Sequence, residues 1–312
     1  MTFQKSFARV FICVVGVVLI GMIFRYFFMQ PIINRFINAD LIKKFDYLEL
    51  DSHLGWRNKP LFHGLWPRSG DFSRYQAVYH VDKEGCRVDQ DRSAASELQN
   101  PSKLVWVLGD SSSFGLGVEA KEIFSEKLGR NFKEYGILIK NFSVVGYNSR
   151  QVRKLFERKL ESSLQTPDLI IVHCGFNDAP YTHNFFWKTP FYYPLHLLDY
   201  QYQISRIIKI CQKRRIGLIF NTIPSLEDYA PLKPINHWLR SREGRFPNVE
   251  AADIQREFAK NQRRDLYAPL DDKLAIRFHP SAKGHTIIYE MLREKVGVLF
   301  GTNLQENTVD VV

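Results

Sequence analysis

A serine, a glycine, an asparagine and a histidine stand, in that order, in four short stretches of this chain where acyl-transfer chemistry would use them. Ser111 follows Gly109-Asp110. A glycine lets the backbone turn sharply, and the serine after it can open a helix, where free amides and the helix dipole favour a developing oxyanion. A serine that merely caps a helix fits the same pattern. Gly146 lies in Asn141-Phe142-Ser143-Val144-Val145-Gly146-Tyr147-Asn148 and has no Cβ to keep a carbonyl oxygen from its amide, although an ordinary turn also favours glycine. Asn177, in Gly175-Phe176-Asn177-Asp178, carries an amide that can donate to an oxyanion or build an Asx turn. His279, in Phe278-His279-Pro280-Ser281-Ala282-Lys283-Gly284-His285, stands just before a closing helix and could face the same crevice as the other three, as a base, although taken singly it is a loop histidine.

The elements around these stretches decide whether they can meet. Leu104-Val105-Trp106-Val107-Leu108 is a short apolar run ended by Gly109, and 122–135 then places Ile123, Phe124, Leu128 and Phe132 at helical spacing. A strand over 137–145, a helix over 149–164, a strand over 169–173, a helix containing Ile204, Ile207, Ile208 and Cys211, and a strand over 216–220 follow. Ile287, Ile288, Met291 and Leu292 mark a last helix. Repeated β-α units of this length predict an α/β fold with a parallel sheet covered by helices on both faces, and such sheets bind ligands outside the carboxyl ends of their strands. Ser111, Gly146 and Asn177 each follow one of the predicted strands.

Together and in this order, Gly109-Asp110-Ser111, Gly146, Gly175-Phe176-Asn177-Asp178 and the His279 stretch resemble the four sequence blocks of the SGNH (GDSL-type) hydrolase family, over about Leu104 to Phe300. The resemblance implies a three-layer, flavodoxin-like arrangement of helix, parallel sheet and helix. It makes Ser111 the nucleophile and His279 its base, and assigns the oxyanion to the amides of Ser111 and Gly146 and the side chain of Asn177. Asp110 and Asp178 would then hydrogen-bond strand-end loops. The implied reaction is hydrolysis of a carboxylic ester through an acyl-serine, with no metal or organic cofactor.

One position departs from the family pattern. An aspartate usually stands three residues before the histidine, and here that residue is Ile276. Either another carboxylate orients His279, with Asp272 and Asp271 nearest in sequence, or a backbone carbonyl does so in a Ser-His dyad. The orienting group matters because it selects the imidazole tautomer and stabilises the imidazolium. The expected partner is an ester substrate, for which an O-acetylated glycan is one candidate. A scaffold with weakened catalysis that binds or assembles envelope polysaccharide, and an acyltransferase, are the alternatives.

The amino terminus adds a second theme. Residues 10–24 are apolar without a break, and with Arg25 able to snorkel the run continues through Met29. About 20 helical residues cross a bilayer core, and the residues after the run are too bulky for a signal-peptide cleavage site. An uncleaved single-pass anchor is therefore expected, although Lys5 and Arg9 before it and Arg35, Lys43 and Lys44 after it leave the orientation open to charge counting. The predicted organisation is an anchor over 1–30, an amphipathic juxtamembrane helix over 31–50, a small β preface and polar linker over 51–102, the hydrolase domain over 103–302 and a tail over 303–312. Gly55-Trp56-Arg57 and Gly85-Cys86-Arg87 in the preface are similar to those of bacterial members associated with extracellular or envelope polysaccharide, which suggests an extracytoplasmic catalytic domain.

Composition sets the remaining limits. The chain has 312 residues, is 45% hydrophobic and carries 43 basic against 33 acidic residues, a balance of +10 that suits anionic surfaces or substrates. It contains no zinc finger, no RNP-like motif and no block of five or six consecutive basic residues, so nucleic acid is not an expected partner. The four cysteines, Cys13, Cys86, Cys174 and Cys211, lack the short paired spacing of a zinc site or disulfide framework. The aromatic-rich 181–202 reads as a sugar-stacking lid, a lipid-contacting surface or core packing. The basic stretch near Arg240, Arg242 and Arg245 reads as a polymer contact or a solvated loop.

Overall fold

A computed structural model describes residues 16, 45–66, 76–90, 98, 100–179, 193–226, 229–261, 263–269 and 277–302. Two compact units emerge, Met1–Arg57 and Asn58–Val312. In the first, β1 (Leu48–Asp51) pairs with β2 (Gly55–Asn58, ending across the boundary). The Asp51 carboxylate accepts the His53 and Leu54 amides at 3.0 and 2.9 Å, which closes the turn, and Arg57 meets Glu49 at 2.7 Å. Among the described residues no helix is long and apolar enough to cross a membrane. The predicted anchor, apart from Gly16, and residues 31–44 of the juxtamembrane helix predicted over 31–50 lie outside the described residues, while its last residues form a turn and the start of β1 instead of helix.

The larger unit begins with a three-stranded antiparallel sheet of β3 (His63–Trp66), β4 (Ala77–Val81) and β5 (Arg87–Val88). A second sheet contains β6 (Lys103–Gly109), β7 (Ile137–Asn141), β8 (Leu169–His173), β9 (Gly217–Asn221) and β10 (Val249–Ala252), all parallel, in the order β10-β9-β8-β6-β7. Every residue of β8 is buried, as expected for a strand covered on both faces.

One face of this sheet turns Val105, Val107, Ile139, Leu169 and Ile171 toward three helices, α2 (Phe124–Phe132), α6 (Ile254–Asn261) and α7 (Ala282–Phe300). On the other face Trp106 meets Phe142 and, edge-on, Phe156 of α3 (Ser149–Ser162). Next to α3 runs α4 (Tyr193–Arg214), joined by the Arg150–Asp199 ion pair at 3.0 Å, and α4 in turn touches α5 (Leu232–Arg240). The predicted three-layer arrangement is present. Fully burying one such aliphatic or aromatic side chain stabilises the fold by about 1.5–3 kcal/mol.

Several boundaries differ from the sequence reading. The strand predicted to reach Val145 ends at Asn141, because the Asn141 side chain accepts the Ser143 amide at 3.0 Å and donates to the Ser113 carbonyl at 2.9 Å. An Asx turn thus replaces the ladder. The helix predicted over 122–135 is α2 flanked by 3-10 turns at Ala120–Glu122 and Lys133–Tyr135, the second stopped by Gly136 at φ 71°. No sequence expectation covered α5, β10 and α6.

Candidate active site

The strand order places β6 in the interior of the sheet, with β7 on one side and β8 on the other. The chain winds in opposite directions from β6, so a crevice opens beside its carboxyl end, where open α/β sheets bind ligands. β6 ends at Gly109, whose added Cβ would lie 2.1 Å from the His173 carbonyl oxygen and 2.3 Å from the Ser113 Oγ. Only glycine lets β6 and β8 approach this closely while the chain turns into α1 (Ser111–Phe114). Asp110 caps this turn, its Oδ1 accepting the Ser112 amide at 3.0 Å, and Gly115 ends it at φ 81°.

The turn gives its three serines different tasks. The Ser113 hydroxyl donates to the Asp110 carbonyl at 3.1 Å, and the Ser112 hydroxyl reaches the Phe278 carbonyl at 3.4 Å. Ser111 Oγ alone of the three faces an imidazole, lying 2.8 Å from His279 Nε2. His279 is held from behind. Its carbonyl accepts the Ala268 amide at 2.7 Å, Tyr267 and Pro280 form a β-bridge, and the Ser281 amide donates to the Leu266 carbonyl at 2.9 Å. An added Cβ at Gly284 would stand 2.3 Å from that Leu266 oxygen, which explains a glycine inside the first turn of α7.

Gly146 and Asn177 reach the same end of the sheet. Gly146 adopts φ 80° in the loop after β7, a conformation that favours glycine. Asn177 sits in a 3-10 turn, Phe176–Asp178, directly after β8 and Gly175. Its Nδ2 donates to the Tyr147 carbonyl at 3.0 Å, and a primary amide retains a second hydrogen for another acceptor. Among the described residues neither the Ser111 nor the Gly146 amide has a hydrogen-bond acceptor. Asp271, Asp272 and Ile276, around which the orientation of His279 was framed, lie outside the described residues, as do Tyr181–Tyr192 of the aromatic stretch.

Burial sorts the other titratable groups. His173 and His285 are sealed, and burial pushes their pKa values down to about 4 and about 3. His285 Nδ1 faces the Phe124 amide at 3.4 Å and its ring stacks on Phe124, so it is a neutral packing group. Burial raises Asp110 to about 7, opposed by the Ser112 amide and the nearby His279, and raises Asp178 to about 6 against two hydrogen bonds from Ser149. Both carboxyls bind strand-end loops. Among the described residues no group of three or more His, Cys, Asp and Glu side chains could hold a metal ion.

The sequence reading gave no role to the residues that brace this corner. Arg87 is fully buried, with its guanidinium 4.2 Å from the Tyr79 ring centre, and its Nη2 donates to the Val78 and Val118 carbonyls at 3.0 and 3.3 Å. The Tyr79 hydroxyl accepts the Gly117 amide at 2.8 Å, and Asn58 Nδ2 donates to the Ser143 carbonyl at 2.9 Å. Arg87 and Tyr79 of the three-stranded sheet thus grip the chain after Ser111, and Asn58 grips it before Gly146. Gly85-Cys86-Arg87 was the visible signal, but nothing in its spacing indicates a buried guanidinium. Cys86, Cys174 and Cys211 are buried thiols outside any disulfide.

The family model described as GDSL-like lipase/acylhydrolase matches residues 107–287, more than half of the chain. Among curated proteins no sequence relative is found. Similar solved structures include a G-D-S-L family lipolytic protein from Veillonella parvula (14% identity, TM-score 0.46, covering 64% of this chain and 99% of that one). A second is the psychrotrophic esterase EstA from Pseudoalteromonas (17%, TM-score 0.47, 64% and 100%). A third is the acetylxylan esterase Axe2 from Geobacillus stearothermophilus (14%, TM-score 0.47, 64% and 97%). The family match spans the turn that holds Ser111, the loops of Gly146 and Asn177 and the loop of His279, and the chain belongs to the GDSL-like lipase/acylhydrolase family.

Proposed function

We propose that this protein is a serine esterase that removes O-acyl groups through an acyl-serine intermediate. The observation that carries this reading is the 2.8 Å contact between Ser111 Oγ and His279 Nε2 at the carboxyl end of β6. Ser111 Oγ attacks the ester carbonyl carbon while His279 Nε2 takes its proton. The carbonyl oxygen becomes an oxyanion between the Ser111 amide, the Gly146 amide and the second hydrogen of the Asn177 amide. Collapse breaks the bond to the alcohol, which leaves with the proton from His279. Water then attacks the acyl-serine with His279 again as base, releasing the carboxylic acid and restoring Ser111. Removing one oxyanion donor from such a site costs about 10²–10³ in rate.

The site of action in this reading is the extracytoplasmic side of a membrane, with residues 10–29 as anchor and an acylated glycan as substrate class. The uninterrupted apolar run and the preface motifs support it. Fluorophosphonate labelling of the full chain tests the chemistry: wild type should label and Ser111→Ala should not, whereas undiminished labelling of folded Ser111→Ala removes Ser111 as nucleophile. Protease added to intact spheroplasts tests the placement. Digestion of the domain is expected, and its protection would reverse the topology.

A further inference from the structure

Two separate cross-links join the loop that carries Gly146 to the turn that carries Asn177. The first is Asn177 Nδ2 to the Tyr147 carbonyl at 3.0 Å. The second uses the residue after Asn177 and the residue two after Tyr147. Asp178 Oδ2 accepts the Ser149 amide at 2.9 Å, and Asp178 Oδ1 accepts the Ser149 hydroxyl at 2.5 Å. Ser149 opens α3 immediately after Asn148, whose side chain accepts the Gln151 amide at 3.1 Å while Gln151 Oε1 accepts the Asn148 amide at 3.2 Å. The capping box already fixes the local start of the helix. That box satisfies the Asn148 and Gln151 amides, and Asp178 takes the Ser149 amide that the box leaves open, bonding two loops as it does so.

The setting makes this carboxylate costly. Ser149 is fully buried, Asp178 is nearly so, and burial works against its ionised form. A buried carboxylate is tolerated where its hydrogen bonds do something a hydrophobic residue cannot. Here they fix the relative position of two oxyanion donors that come from different strands. Gly146 follows β7, Asn177 follows β8, and β6 lies between those strands in the sheet. Backbone bonds within each segment, such as Tyr147 to Val144 and Asp178 to Gly175, both at 3.2 Å, shape the loops singly but do not join them. Preorganised donors stabilise a transition state only when held near their final positions, within about 0.5 Å.

We propose that Asp178, through its paired hydrogen bonds to Ser149, is a positioning residue that holds the Asn177 amide in register with the Gly146 amide for oxyanion binding. The proposal rests on the esterase reading of Ser111, Gly146, Asn177 and His279. It predicts that Asp178 acts on the chemical step through Asn177 and leaves substrate binding almost untouched. It also predicts that asparagine can substitute, since its oxygen can accept the Ser149 amide while its NH2 donates to the Ser149 hydroxyl.

The test is a double-mutant cycle on the full chain with a short acyl ester. Asp178→Ala should lower kcat about tenfold or more with little change in KM, and Asp178→Asn should recover most of that loss. In an Asn177→Ala background, Asp178→Ala should slow the reaction by no more than about twofold, because the donor it positions is gone. If the two losses multiply, Asp178 acts independently of Asn177 and the proposal is wrong. If Asn177→Ala itself turns over at the wild-type rate, the oxyanion assignment fails and the proposal falls with it. Ser149→Ala, which removes the hydroxyl bond and keeps the backbone one, supplies the same cycle should Asp178→Ala not fold.

Discussion

The Phe278 ring lies flat on the Phe176 ring, with centroids 3.4 Å apart and planes within 8° of parallel. Each precedes a residue of the proposed site, Phe278 before His279 and Phe176 before Asn177. The stack therefore joins the loop of the base to the loop of an oxyanion donor, across a long separation in sequence. Ser112 adds a third tie, through its hydroxyl to the Phe278 carbonyl. With the preface gripping Val118 and Ser143, each of the four segments is anchored to another by a side chain.

Removing the stack should loosen catalysis as well as the fold. Phe278 and Phe176 are both buried, and a buried Phe→Ala change costs about 3–5 kcal/mol. Phe278→Ala is expected to lower Tm and to lower kcat by more than it raises KM, because the His279 backbone loses its lateral support. Phe278→Leu should recover more stability than activity, since it refills volume without the flat contact. Thermal unfolding and steady-state kinetics on the two variants decide this. A fall in Tm with kcat unchanged would confine the stack to stability.

The buried carboxyl of Asp110 should give stability a pH dependence of definite sign. Burial lifts its pKa from the ordinary 3.8 to about 7, so as pH rises the unfolded chain releases this proton first. Its contribution is fully present below pH 3.8 and is lost as pH rises through 7. Asp178 acts in the same direction, through about 6. His173 and His285 act oppositely: their lowered values make a contribution that is present above 6.5 and lost as pH falls toward about 4 and about 3. Between pH 4 and 6 the two sets oppose each other, and above 6.5 the Asp110 effect remains. Asp110→Asn keeps an acceptor for the Ser112 amide and cannot ionise. Its Tm relative to wild type should therefore improve between pH 6 and pH 8.5, by an amount worth about 1 kcal/mol, since most of the contribution is already lost between pH 3.8 and 6. A difference in Tm that does not move with pH would show that Asp110 does not titrate in this range.

Much of this architecture was legible because it depends on local pattern. The run from Leu169 to His173 and the apolar spacing of Phe124, Leu128 and Phe132 specify a buried strand and a helix face by period alone. The meeting of Ser111 with His279 was legible only through the order of four motifs, since no local rule links the end of β6 to the start of α7. What stayed hidden depends on tertiary partners. Arg87 reads as a surface cation until Tyr79 and Val118 surround it. Ser149 reads as a helix-opening residue until Asp178 reaches it. In α5, Pro234 is the third helical residue, where a missing N–H breaks no intrahelical bond, but with Pro231 just before it the stretch reads as a loop in sequence. β10 is four residues long and gains its identity from β9 beside it.

The remaining prediction concerns Ile276, which stands where family members carry the aspartate that orients the histidine. If Asp272 takes over that task, Asp272→Asn should greatly slow acylation while leaving the fold intact, because the amide can no longer stabilise the imidazolium that forms when His279 takes the Ser111 proton. Ile276→Asp should then help little, since a second carboxylate beside the first is repelled by it. If a backbone carbonyl orients the ring, Asp272→Asn should be nearly silent, as Ser-His pairs can move the proton unaided by a carboxylate. The esterase reading expects a measurable wild-type burst in either case. Acyl-enzyme burst rates for wild type, Asp272→Asn and Ile276→Asp separate the outcomes. Equal bursts in wild type and Asp272→Asn would exclude Asp272 and leave Ser111 and His279 in place. A burst that is very low in wild type and rises in Ile276→Asp would instead mark a chain whose fold and nucleophile persist while its proton transfer has weakened.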